Sequence, residues 1–158
     1  MEKVRFGLIG CGLMAREFAS ASARWCHFTT DVPRPEIVGI CSPVPAETEW
    51  FIKNFPDIKY VTADYKDLLA ADDIDAIYCA VPHNLHEQFY VDTIKSGKAL
   101  LGEKPFGIDQ AANNNILKAI EENPDVFVRC TSEFPYFPAM QLMINWIKEG
   151  KFGRILEV

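Results

Sequence analysis

Short apolar runs alternate along this chain with stretches of helical periodicity, and that alternation restricts the fold more than any other feature. Val4 to Ile9 is apolar and stops at Gly10, and Leu13 to Arg24 carries small and apolar residues at helical spacing. Residues 25 to 35 read as a loop, because two prolines and an Asp punctuate them. Glu36 to Cys41 reads as a strand, Ala46 to Asn54 as a helix and Lys59 to Val61 as a short strand. Asp64 to Ala70 follows as a short helix with Asp67 placed to help cap it. Asp75 to Ala80 is an apolar strand, and Glu87 to Ser96 a helix closed by Gly97. Lys98 to Gly102 is the next strand, Asp109 caps a helix to about Glu122, Val126 to Cys130 is a strand, and Ala139 to Glu149 is a helix closed by Gly150. Ile155 to Val158 is expected to begin a last strand. Strands this apolar need cover on both faces, and intervening helices supply it. The expected fold is α/β, a doubly wound parallel sheet with right-handed crossovers.

Size and charge narrow the function. At roughly 150 residues per domain, 158 residues hold one domain. Sixteen basic against 22 acidic residues give a net charge of −6, the wrong sign for tracking phosphate backbones, so nucleic acid and anionic membranes are not expected as partners. The five cysteines (Cys11, Cys26, Cys41, Cys79, Cys130) are scattered without a C-x-x-C pair, and they read as small buried hydrophobes in a reducing compartment. No metal site is expected. Arg16 and Glu17 interrupt the apolar N-terminal stretch, which argues against a secretory signal. The longest charge-free run, Phe134 to Ile147, is too short for a bilayer and broken by Pro135 and Pro138. The expected location is cytoplasmic.

The chemistry begins at Gly10-Cys11-Gly12-Leu13-Met14-Ala15, which leaves the first strand and opens the first helix. Gly10 permits a tight turn, Gly12 lets backbone approach a diphosphate, and Ala15 stands where the helix must pack closely on the strand. Free N–H groups and the dipole of the first helical turn then meet the anion. An acidic residue that reads the adenosine ribose is expected at the end of the second strand; Asp31 has the right count but lies in the loop before that strand. Ser42 holds the position instead, followed by Pro43. Without an acid the usual bar to a 2′-phosphate is gone, yet no Lys or Arg follows to grip one. The cofactor is therefore NAD or NADP, with a slight lean to NADP or dual use.

Two more polar stretches emerge at strand ends, Ala80-Val81-Pro82-His83-Asn84-Leu85-His86 and Gly102-Glu103-Lys104-Pro105. His86 opens a helix and is read either as a group near the nicotinamide or substrate, or as a structural histidine. Lys104, held between a strand end and a proline, is the candidate catalytic residue: a positioned ammonium can bond a substrate oxygen where charge changes during hydride transfer.

GLIGCGLMA, DAIYCAVPHNLH and ALLGEKPFGID, in this order and spacing, resemble the N-terminal half of the Gfo/Idh/MocA oxidoreductases. The resemblance implies a Rossmann-fold, NAD(P)-dependent dehydrogenase acting on sugars, polyols or related hydroxy compounds. It implies Gly10, Gly12, Ala15, Pro82, His86 and Glu103 around the cofactor, with Lys104 on the substrate hydroxyl; Cys11, Leu13, Met14, Ser42, Ala80 and Val81, beside them on the same turns, complete the expected cofactor contacts. It places a further Asp and His, the substrate pocket and the homo-oligomer contact in a second α+β domain. On this reading residues 1–150 are the NAD(P)-binding domain, and residues 151–158, within EGKFGRILEV, begin the connection to the substrate domain of a longer parent chain. The 158 residues alone are expected to lack turnover. Ser42, His83 and Pro135 depart from residues common in the family. Two other readings use the same glycine turn, a nucleotide-responsive regulator without redox chemistry and an adenosyl-methionine methyltransferase, though the latter has no use for Glu-Lys-Pro.

Overall fold

The computed structural model describes residues 2–157. Six parallel strands form one sheet in the order β3-β2-β1-β4-β5-β6. They are β1 (Lys3–Ile9), β2 (Arg34–Cys41), β3 (Tyr60–Thr62), β4 (Ala76–Cys79), β5 (Ala99–Gly102) and β6 (Val128–Cys130). The helices are α1 (Leu13–Ala23), α2 (Pro45–Asn54), α3 (Tyr65–Ala70), α4 (His86–Lys95), α5 (Gln110–Glu122) and α6 (Pro138–Lys148). The doubly wound parallel sheet read from the alternation is the observed architecture. The strand order reverses between β1 and β4, which leaves a crevice beyond their C-terminal ends.

Alternation along each strand divides the core between the two faces. Ile9, Val38, Ile77, Cys79 and Leu100 pack with Leu68 of α3, Tyr90 and Ile94 of α4, and Ile116 of α5. Leu8, Ile37, Ile40 and Tyr78 pack on the other face with Ala15 and Ala19 of α1 and Phe51 of α2. Burying an aliphatic side chain of this kind contributes about 1.5–3 kcal/mol, so the covered faces supply most of the driving force. Helix α6 differs: none of its residues is buried, and Leu142, Met143, Trp146 and Ile147 are exposed.

Several local expectations need correction. Asp64, not Asp67, is the N-cap of α3 and accepts from the Lys66 N–H at 3.0 Å, while Asp67 takes the Thr62 hydroxyl. The segment 25–35 is not wholly loop. Arg24–His27 adds a 3₁₀ turn, and β2 starts at Arg34, with Pro35 tolerated because β3 flanks only Gly39 to Cys41. Residues 155–157 form no strand, since no neighbour pairs with them; Val158 lies outside the described residues. Cys11, Cys41 and Cys79 are buried, but Cys26 is exposed and Cys130 half-buried. No helix among the described residues is long and apolar enough to cross a membrane.

Candidate functional site

One backbone step past the strands, four residues share a single edge. Gly10 N–H donates to Cys41 O at 2.9 Å, Ser42 N–H to Thr62 O at 3.1 Å, Ala80 N–H to Ile9 O at 2.8 Å and Glu103 N–H to Cys79 O at 3.0 Å. The polar segments picked out by sequence are therefore brought together along the C-terminal rim of the sheet.

The glycine turn is made by the lack of side chains. Gly10 sits at φ +89°, and a Cβ there would lie 2.4 Å from Ala80 O, so both conformation and packing demand glycine. Gly12 is different. Its backbone is extended (φ −75°, ψ −158°), open to any residue, and a Cβ would meet nothing within 4 Å. The packing does not need glycine at position 12, and the space a side chain would fill there is open. Gly12 is also the N-cap of α1, with no side-chain cap and no acidic residue in the first turn, so the helix presents bare N–H groups and the positive end of its dipole. Leu13 and Met14 are exposed beside it, while Ala15 is fully buried against the sheet. Cys11 turns its thiol inward to Cys41 O and offers only its backbone to the turn. Burial pushes the Cys11 thiol up to about 12 and that of Cys41 up to about 11, so neither is a ready thiolate.

At the ends of β4 and β5 the reverse holds, because polar side chains bind one another. Tyr78 donates its hydroxyl to Glu103 Oε1 at 2.7 Å, the Lys104 N–H lies 3.2 Å from Glu103 Oε2, and Tyr90 donates to Glu103 O at 2.6 Å. Burial, reinforced by the hydrogen bond to the Glu103 carboxylate, pushes the Tyr78 phenol up, which keeps it a donor. His86 is fully buried, with Nδ1 2.7 Å from Pro105 O and Nε2 3.0 Å from Val81 O. Both ring nitrogens face backbone carbonyls, and the ring ties the end of β4 to the segment after β5. Pro82 is exposed and Ala80 and Val81 are half-buried along the rim. Lys104 is exposed and makes no ion pair among the described residues. A cleft lined by Met14, Phe18, Tyr78, Glu103 and Thr131 opens beside the turn. Among the described residues no group of three His, Cys, Asp or Glu side chains is placed to hold a metal ion.

Sequence reasoning missed Glu47. Ser42 is buried and donates its hydroxyl to Glu47 Oε2 at 2.7 Å, so a carboxylate does stand at the end of β2, brought there from α2. The signal was an acid at the third position of a helix that Pro45 opens, from which side chains reach back toward the entering chain.

A two-faced parallel sheet with a bare glycine turn at its point of reversal defines a dinucleotide-binding domain of the Rossmann type. The chain belongs to the Gfo/Idh/MocA oxidoreductase family, whose model, described as an oxidoreductase family with an NAD-binding Rossmann fold, matches residues 4–130. The dTDP-3,4-didehydro-2,6-dideoxy-alpha-D-glucose 3-reductase of Saccharopolyspora spinosa is 26% identical over 154 residues, 98% of this chain and 44% of its own length. Levoglucosan dehydrogenase of Pseudarthrobacter phenanthrenivorans is 24% identical over 156 residues, 99% of this chain and 40% of its own. The WlbA dehydrogenase from Bordetella pertussis, solved with NADH and UDP-GlcNAcA, superposes with a TM-score of 0.82 at 27% identity over 98% of this chain and 44% of its own. The chain thus spans about two fifths of the length of the curated relatives it matches.

Proposed function

We propose that this chain is the coenzyme-holding part of an oxidoreductase that moves a hydride between a nicotinamide dinucleotide and a hydroxyl compound of the sugar or polyol class. The observation that carries this reading is Gly12, a glycine the fold does not require, set over the bare N-terminus of α1 at the reversal of the sheet. The N–H groups of the first helical turn hold the diphosphate. Ala80, Val81 and Pro82 flank the path toward the nicotinamide end, and the nicotinamide supplies the hydride acceptor or donor. Glu103 is turned inward to Tyr78 and the Lys104 N–H, and so fixes the segment that carries Lys104. The exposed Lys104 ammonium is the group that donates to the substrate oxygen and stabilises charge there. The sugar-linked names of the relatives support the substrate class.

Fluorescence titration with NADH tests the reading. The chain binds NADH, Lys104→Ala changes that affinity by less than about twofold, and in a protein carrying the substrate domain the same substitution removes most turnover, about 100-fold or more. Binding of adenosyl-methionine alone would contradict the assignment.

A further inference from the structure

We infer that Glu47, reaching back from α2, is the carboxylate that reads the adenosine ribose, and that it makes NAD rather than NADP the preferred coenzyme. The inference rests on the dinucleotide reading above and deepens it. Ser42 stands at the end of β2, on the same rim as Gly10 and Ala80, where the ribose-reading group belongs. Its hydroxyl cannot serve a ribose well. The single O–H is given to Glu47 Oε2 at 2.7 Å, and the oxygen accepts the Val44 N–H at 3.1 Å. The serine instead acts as a tether for the carboxylate.

Glu47 occupies the third position of α2, and its backbone N–H donates to Val44 O at 3.0 Å, which closes the turn between Ser42 and the helix. Among the described residues Oε1 has no hydrogen-bond partner and no Lys or Arg pairs with this side chain. One oxygen is therefore fixed and the other is left to accept from outside, in an exposed side chain. The field of this carboxylate reaches the glycine turn: after burial and Cys41, it adds to the upward push on the Cys11 thiol. A ribose diol can donate to such a group, and hydrogen bonds to ionised acceptors are among the stronger ones. A 2′-phosphate has no proton to spare at neutral pH and carries like charge. Ser42-Pro43-Val44-Pro45-Ala46 offers it no cation.

Titrating the full chain with NADH and NADPH, and with their adenosine halves ADP-ribose and 2′-phospho-ADP-ribose, decides the matter. NADH should bind at least about tenfold tighter than NADPH. Glu47→Gln keeps an acceptor for the Ser42 hydroxyl but removes the charge, and should lower that ratio about tenfold; ADP-ribose and its 2′-phosphate should follow the same change. Ser42→Ala keeps the charge and frees it, and should lower the ratio by a smaller factor, about threefold. If Glu47 merely ties the turn, Glu47→Gln weakens both ligands equally and leaves the ratio unchanged, which overturns the inference. Tighter NADPH binding by the unaltered chain overturns it as well. If neither nucleotide binds, the dinucleotide reading itself falls, an outcome distinct from a wrong preference.

Discussion

At the N-terminal edge of the sheet Arg5 grips Asp75 through its backbone N–H at 2.8 Å, Nε at 2.9 Å and an Nη at 2.5 Å. Lys59 and Tyr60 both donate to Asp73, Lys3 pairs with Glu36, and Lys98 donates to the carbonyls of Ala71 and Ile74. At the C-terminal edge, by contrast, the N–H groups that open α1, the Lys104 ammonium and one oxygen of Glu47 are turned outward without a partner among the described residues. The two edges come from the same strands. One satisfies its polar groups internally and fixes register; the other leaves N–H donors, an ammonium and a carboxylate oxygen facing outward, which costs little because solvent covers them. Polar groups left unspent beside a spent network distinguish the two edges more sharply than charge or cavity size does.

Substitutions can separate the edges. The largest effect is expected at Gly10→Ala, where positive φ and a 2.4 Å approach to Ala80 O combine; urea unfolding should show a loss of about 3 kcal/mol or more, with nucleotide binding abolished. Glu103→Ala comes next. It leaves the Tyr78 hydroxyl with only the longer bond to Met14 O at 3.3 Å and the Lys104 N–H without its carboxylate, and should cost about 1–2 kcal/mol by the same measurement. If it proved neutral, the closed network would not be what holds the Lys104 segment.

The smallest effect belongs to the other edge. The hydrogen bond from the Arg5 side chain holds the Asp75 carboxyl below its ordinary value of 3.8. A carboxyl depressed in the folded state contributes stability above the unfolded pKa and loses it as pH falls through the lower folded value. Acid titration of the unfolding midpoint should show this contribution fading below about pH 4 and missing in Asp75→Asn. The pair is more than a third exposed at its side chains, so solvent screening keeps its contribution small. NADH affinity should not change in Asp75→Asn; a parallel loss of binding would erase the distinction between the edges.

Periodicity made most elements legible because apolar strands and capped helices write themselves locally, as Asp109 does by accepting the Ala112 N–H at the start of α5. The glycine turn was legible for the same reason. What stayed hidden depends on residues far apart in sequence. Tyr78 reads as one more apolar strand residue until β4 and β5 are adjacent and its hydroxyl meets Glu103. The partners of His86 were hidden too, because the carbonyls of Val81 and Pro105 come to its ring from two different strand ends. The expectation of a strand from Ile155 failed because an apolar run becomes a strand only when a neighbour pairs with it. Glu47 escaped because an acid was sought at the strand end itself, and the carboxylate beside Ser42 comes from the helix that follows.

Amide chemical shifts, followed while the chain is titrated with ADP-ribose and then with adenosine lacking the diphosphate, test the central claim most directly. Shifts concentrated on the backbone N–H groups of Cys11 to Ala15, saturating with ADP-ribose, absent with adenosine and lost in Gly12→Val while that variant unfolds at the same urea concentration, are the expected result. ADP-ribose binding that leaves those amides unmoved, or that survives Gly12→Val intact, would contradict it.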